Sequence, residues 1–277
     1  MDNTSKTTDA VRRRLVIFLV LAGILVLVSL IAPLLCPNDP DATSAALINQ
    51  PPNAQFPFGT DRFGRCILSR VLMGARTSIF SATALVAITF VIGTALGMLA
   101  GWYEGALDSI IMRLADVLLA FPQMVLAIAV AGILGGGMGN AMLAMGITGW
   151  TLYARLARAQ VLALKEEPYV KAAKLSGCST ASIMTNTLLP NILGPLIVNA
   201  ATQIGVMMIG IAGLSFLGIG VTEPKAEWGS MINLSRSYIQ LAPWAVFAPA
   251  AATIITVMIF NYLGDCIRDY LDKGAKR

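Results

Sequence analysis

The sequence predicts an all-α membrane protein with six transmembrane helices, and three observations carry that reading. Hydrophobic residues make up 56% of the 277, while only 13% are charged, against about 25% charged in an average soluble domain. So few charges cannot cover the apolar surface of a single water-soluble core. The mean hydropathy of +0.73 points to lipid as the solvent. Uncharged stretches long enough to cross a bilayer then recur along the chain, since about 20 apolar residues span about 30 Å of hydrocarbon.

The elements follow in order. Residues 1–14 form an inner tail carrying Arg12, Arg13 and Arg14 ahead of a first span over 15–35. That stretch exceeds a typical signal-peptide core and ends in Pro33-Leu34-Leu35-Cys36-Pro37, which offers no small-x-small cleavage site, so it reads as an uncleaved anchor. Residues 36–77 are an external segment. Within it Phe63, Ile67, Val71 and Leu72 recur among Arg62, Arg65, Arg70 and Arg76, the pattern of an amphipathic helix at the membrane face. Residues 78–263 hold five further spans. Ser78–Gly101 is the second, and the uncharged run Val117–Ala154 is cut by Gly135–Asn140 into a third and a fourth, with Pro122 near the start of the third. A fifth lies within Leu188–Gly220 and a sixth within Trp244–Leu263, before the tail 264–277.

Lys and Arg set the orientation. With the N-terminus inside, fourteen of the twenty basic residues are inside; the outer six are Arg62, Arg65, Arg70, Arg76, Lys225 and Arg236. Both termini are therefore expected in the cytoplasm. The net charge of +5 then reflects topology and implies no nucleic-acid partner.

Several chemistries are excluded. With no His, the chain has no Ser/His/Asp triad, no His-ligated zinc and no imidazole acid–base catalyst. It is expected not to be an enzyme, and no metal or cofactor site is expected in it. Gly59–Cys66 nearly spells a phosphate-binding loop, but Arg65 and Cys66 stand where lysine and a hydroxyl are needed, and no strand precedes it. Cys36 and Cys66 share the outer side, where a disulfide is geometrically possible; Cys178 and Cys266 are inside. Met138, Met142 and Met145 recur at helical spacing and read as gap-filling rather than copper-binding. Gly93, Gly97 and Gly101 lie four apart on one face of the second span, a flat strip for close helix packing, within the bundle or between subunits.

The inner loop 155–187 is the most informative segment. Arg155 and Arg158 are placed to snorkel to headgroups. Lys165-Glu166-Glu167-Pro168 starts a short helix, with proline in the first turn where no amide partner is needed. Gly177 suits the left-handed position after its end, and Ser179 caps a second short helix that reaches Leu189. By pattern alone a surface hairpin and a docking site for another protein fit equally.

This loop resembles the EAA loop of permease subunits in binding-protein-dependent ABC importers. That pattern is Glu-Ala-Ala, three residues, Gly, nine residues, Ile, one residue, Leu-Pro. Here Lys171-Ala172-Ala173, Gly177, Thr187 and Leu189-Pro190 keep every spacing, with Lys171 for glutamate and Thr187 for isoleucine. Phe58-Gly59-Thr60-Asp61-Arg62-Phe63-Gly64-Arg65 with Ser69-Arg70, Ala120-Phe121-Pro122, Ser215–Val221, Glu227-Trp228-Gly229 and Asn261–Asp265 resemble the peptide/nickel permeases within that group. The likeness is to the second of two permease subunits, and Ala226–Asn233 leans toward the nickel-type members.

The resemblance implies a type I ABC importer permease fold in the bacterial inner membrane. It also implies a homologous permease partner forming a heterodimer, two cytoplasmic ATPase subunits that bind ATP and Mg, and an external solute-binding protein. Lys171, Ala172, Ala173, Gly177, Leu189 and Pro190 would couple ATP binding to movement of the bundle. The cargo would be nickel, a nickel chelate, or di- and oligopeptides. The rival reading is an ion-gradient-driven secondary transporter. Such a protein keeps ionisable residues within its spans, and here the span interiors have none.

Overall fold

The computed structural model describes the backbone of residues 2–274 and the side chains of residues 11–271. Lys6, Lys273, Lys276 and Arg277, four of the inner basic residues, lie outside the described side chains. The described chain is helical, with no strand beyond an isolated antiparallel bridge between Thr60 and Cys66. The helices are α1 (Asp2–Leu35), α2 (Ile67–Tyr103), α3 (Gly105–Leu119), α4 (Gln123–Ile133), α5 (Met138–Leu164), α6 (Pro168–Leu175), α7 (Thr180–Ser182), α8 (Leu189–Phe216), α9 (Trp228–Ser235) and α10 (Trp244–Gly274).

Four of these are long and apolar enough to cross a bilayer, over Val11–Leu35, Ile67–Tyr103, Thr180–Phe216 and Trp244–Leu271; α3 and α4 together pass the same test as a pair bent by 88°. The expected third span is therefore not one helix starting at Val117. A proline disfavours helical geometry in the residue before it, and Phe121 and Pro122 interrupt the chain so that α4 starts afresh. At 11 residues, or about 16 Å, α4 is too short to cross alone. The expected fourth span is α5. Its 27 residues reach about 40 Å, yet Gly, Ala and Thr dominate its buried face, so it is not strongly apolar. A helix lying against other helices need not be greasy, because small residues let backbones approach.

The core consists of α2, α5, α8 and α10. Gly93, Gly97 and Gly101 face α5, where a Cβ on Gly93 or Gly97 would fall on the carbonyl oxygens of Trp150 and Ala154, and one on Gly101 would meet Arg158 O at 2.9 Å. The strip is thus filled by a helix of the same chain. Gly205 plays the same part between α8 and α10, with Asn261 Oδ1 at 2.8 Å from the site of a Cβ. By contrast α1 stands at the rim. It turns Ala22, Ser29 and Ala32 inward and leaves Val16, Val20, Leu27 and Leu30 exposed, as a lipid-facing helix would.

The segment 36–66 departs from expectation. No separate amphipathic helix lies there; α2 begins at Ile67 and runs unbroken through the second span. Arg65 and Arg70 do not face the medium but are 5% and 1% exposed. Arg65 Nε donates to Asp61 Oδ2 at 2.7 Å and its terminal nitrogen to Glu223 Oε1 at 3.0 Å. Arg70 donates to Asp41 Oδ1 at 3.0 Å and to the carbonyls of Pro40 and Pro224 at 3.1 and 3.3 Å. A buried guanidinium is tolerable only when its donors are matched in this way. Asp61 also accepts from the Phe63 and Arg65 amides at 2.9 and 3.0 Å, which closes the turn. Glu227, 1% exposed, caps α9 by accepting from the Gly229 and Ser230 amides at 2.9 and 2.8 Å. Cys36 and Cys66 are free thiols.

Candidate functional site

The loop between α5 and α8 builds its shape from local rules. Glu167 is extended (φ −63°, ψ 145°), as a residue before proline should be, and Pro168 occupies the first turn of α6. The helix ends in a paired closure: the Gly177 amide donates to Lys174 O and the Cys178 amide to Ala173 O, both at 3.1 Å. That closure requires a left-handed residue, and Gly177 supplies it with φ +78°. Ser179 Oγ then accepts from the Ser182 amide at 3.3 Å and opens α7.

The expected second short helix does not stop at Leu189. A π-helical turn over Ile183–Leu188 joins α7 to α8, and Pro190 sits in the first turn of α8 without interrupting it. The physical reason is the missing proline amide, which cannot bond one turn back. The π turn shifts the register, with the Leu189 amide donating to Met184 O, and Asn191 Nδ2 donates to Thr187 O at 2.7 Å.

Val170, Ile183 and Leu188 anchor the loop, being at most 2% exposed. Its opposite side is open. Lys171, Ala172 and Gly177 are exposed and Ala173 half-buried, and nothing lies within 4 Å of a Cβ built on Gly177. Leu175 projects with 89% exposure and Tyr169 with 43%. Leu189 is half-buried and Pro190 exposed at the start of α8. The six residues singled out from the sequence thus lie along one short stretch, with the first four around an uncovered apolar knob.

The charges of this region hold it to the bundle. Arg155 pairs with Asp116 and Arg158 with Asp108, both on α3. Lys165 pairs with Glu104 at the α2–α3 corner, and Lys174 Nζ lies 4.3 Å from the centre of the Trp102 ring. These partners were missed in the sequence. Their signal was the acidic set Glu104, Asp108 and Asp116, which the topology puts on the same side as the basic loop. Lys171 Nζ lies 3.1 Å from Glu166 Oε2, and its hydrogen bond and charge hold the Glu166 carboxyl below the usual carboxylate range. Among the described residues, no three Cys, Asp or Glu side chains converge as a metal site would need.

Long apolar helices around a packed core, with a hairpin left open at one end, define a multi-pass membrane protein. A chain of the MetNI methionine ABC transporter, solved in inward-facing conformations, shares the fold: TM-score 0.56 at 19% identity, covering 74% of this chain and 96% of that one. Residues 93–277 match the family described as the binding-protein-dependent transport system inner membrane component. The chain belongs to that family, and within it to the peptide/nickel permease subunits of ABC importers. It is 39% identical to the dipeptide transport system permease protein DppC of Alkalihalophilus pseudofirmus, over 94% of this chain and 86% of that one. It is 38% identical to the nickel transport system permease protein NikC of Escherichia coli K12, over 92% of each. It is 42% identical to the glutathione transport system permease protein GsiD of Pectobacterium atrosepticum, over 83% and 76%.

Proposed function

We propose that the chain forms half of the translocation pathway of an ATP-driven importer in the bacterial inner membrane. It would work with a homologous permease subunit, two cytoplasmic ATPase subunits that bind ATP and Mg, and an external solute-binding protein. Taking α1, α2, the bent pair α3–α4, α5, α8 and α10 as crossings gives six, with both termini in the cytoplasm. The observation that carries this reading is the open hairpin: Ala172, Leu175 and Gly177 are uncovered while Val170, Ile183 and Leu188 lock the loop to the bundle. A push on such a hairpin is passed to α5 and α8 rather than absorbed.

ATP binding would close the ATPase pair and displace α6 and α7, and the Trp102, Glu104, Asp108 and Asp116 contacts would carry that displacement into α2 and α3. ATP can shift the inward–outward equilibrium only as far as its binding free energy differs between the two states. The cargo belongs to the peptide or nickel classes that name the relatives; 39% and 38% identity do not separate them. The test is Gly177→Arg, which places a large side chain at an open left-handed position. Uptake should be lost while membrane insertion and subunit levels stay normal, and normal uptake by this variant would refute the coupling role.

A further inference from the structure

Two of the four cysteines lie where the end of α1 meets the first turn of α2. Cys36 is the residue after α1, and its thiol lies 3.2 Å from Ala32 O and 3.5 Å from Ser69 O, in the first turn of α2. Cys66 is the residue before α2, and its sulfur accepts from Asn38 Nδ2 at 3.5 Å. The Asn38 amide donates to Ser69 Oγ at 3.2 Å. Each thiol thus touches the other's stretch of chain, and these bonds hold residues 36–38 against residues 66–69. A disulfide needs such closeness, because it joins Cα atoms only about 4.4–6.8 Å apart.

The two sulfurs differ in access. Cys66 is 2% exposed, whereas Cys36 is half-buried and open to a reagent. Burial first, and then the nearness of Cys66, push the Cys36 thiol above the usual cysteine range. The thiolate is the attacking species in disulfide exchange, so this pair closes slowly unless a protein oxidant engages it. A thiol of raised pKa is also a poor leaving group, so the bond persists once made. The other two cysteines share none of this. Cys178 is exposed between α6 and α7, and Cys266 is buried in α10.

We propose that Cys36 and Cys66 form a site of oxidative modification, closed to a disulfide by a thiol oxidoreductase of the cell envelope, and that the bond fastens the outer end of α1 to the core. It rests on the orientation given above, with residues 36–66 outside, where disulfides persist. The Cys36 thiolate attacks the oxidant's disulfide, forming a mixed disulfide and freeing one oxidant thiolate. The Cys66 thiolate then attacks the Cys36 sulfur and expels the second. Two electrons pass to the oxidant, and the two cysteine protons end on its dithiol. The gain follows from where α1 stands. It is a rim helix that turns only small side chains, Ala22, Ser29 and Ala32, into the bundle. A bond to Cys66 joins it to the neighbour of Arg65, whose guanidinium is already tied to Asp61 and Glu223. Closing the loop between residues 36 and 66 also restricts the unfolded chain.

The test quenches thiols with acid in intact cells carrying the full transporter. The denatured chain is then labelled with a polyethylene-glycol maleimide, which slows its band once for each free thiol. Wild type should gain two labels before reduction, on Cys178 and Cys266, and four after it. Cys36→Ser and Cys66→Ser should each gain three, with or without reductant. Wild type from cells lacking the envelope oxidoreductase should gain four. Four labels from wild type in normal cells overturn the proposal, as does an oxidised pair in cells without the oxidoreductase. Reductant should lower the melting temperature of the solubilised wild-type chain by about 4 °C or more and leave Cys36→Ser unchanged. Equal melting of wild type with and without reductant overturns the fastening role. A membrane-impermeant maleimide added to spheroplasts reads the orientation separately: it should reach Cys36 in Cys66→Ser and should not reach Cys178. Labelling of Cys178 instead refutes the topology, whereas four free thiols with Cys36 reachable from outside refute the disulfide alone.

Discussion

The segment 36–66 and the loop between α5 and α8 are both rich in charge, and they use it in opposite ways. Around the first, Arg65 and, at the start of α2, Arg70 are buried and their guanidinium groups are shared among Asp61, Asp41, Glu223 and two carbonyl groups. Asp61 and Arg65 face inward while Asp39 and Asp41 stay exposed, and the segment is stapled to the start of α2 and to residues 223–224. In the second, Lys171 and Glu166 pair at the surface with 55% and 67% of their side chains exposed, and Leu175 is uncovered. Buried charge makes architecture, because removing one partner strands the other away from water. Surface charge beside an uncovered apolar side chain leaves a face open, as the proposed coupling role needs.

That contrast can be broken at each end. The largest effect should come from Arg65→Met, which strands the Asp61 carboxylate, 10% exposed in its side chain. Breaking a buried pair costs about 3–5 kcal/mol, so the melting temperature of the detergent-solubilised protein should fall by at least ~6 °C. An unchanged melting temperature would mean the network is decoration. Next is Leu175→Asp. Loss of an apolar anchor at an interface costs about 2 kcal/mol or more, so uptake and recovery of ATPase subunits should each drop more than about tenfold. Folding stability should stay within about 0.5 kcal/mol of wild type, as for other surface changes. A fall in stability with intact uptake would reverse the roles assigned to the two regions.

Trp102→Ala should fall between these. It removes the ring beneath Lys174, a contact worth about 0.5–1 kcal/mol, and should loosen α6 without unfolding the bundle. Faster hydrogen exchange at residues 168–176 than in wild type is the expected readout. Lys171→Ala should do least to stability, since an ion pair in open water gains little over the separately hydrated charges. The pairing holds the Glu166 carboxyl low, so what it adds is present above the ordinary carboxylate range and disappears as pH falls through the lowered value. Melting curves of Lys171→Ala and wild type should superimpose at acid pH and differ at most slightly at neutral pH.

Much of the candidate site was legible because its rules are local. Pro168 in a first turn, Gly177 at a left-handed end and Ser179 as a cap each depend on a few neighbouring residues, and each stands where its chemistry puts it. The glycine strip was legible as a packing surface, but which helix fills it was not, since Gly93 and Trp150 are far apart in the chain. The arginines were misread for the same reason. A basic residue between apolar neighbours looks like a surface charge until its acid arrives from elsewhere, as Asp41 does for Arg70 and Glu223 for Arg65.

The sequence by itself determined that this chain lives in a membrane, which family it resembles and where its exposed hairpin turns, because hydropathy and turn chemistry are properties of short windows. Only the tertiary structure decided that Phe121-Pro122 divides α3 from α4, that α5 lies against the glycine strip, and that Cys36 lies against the first turn of α2. Those features depend on which surfaces meet, and burial of a charge or a thiol is a property of the neighbours that close around it.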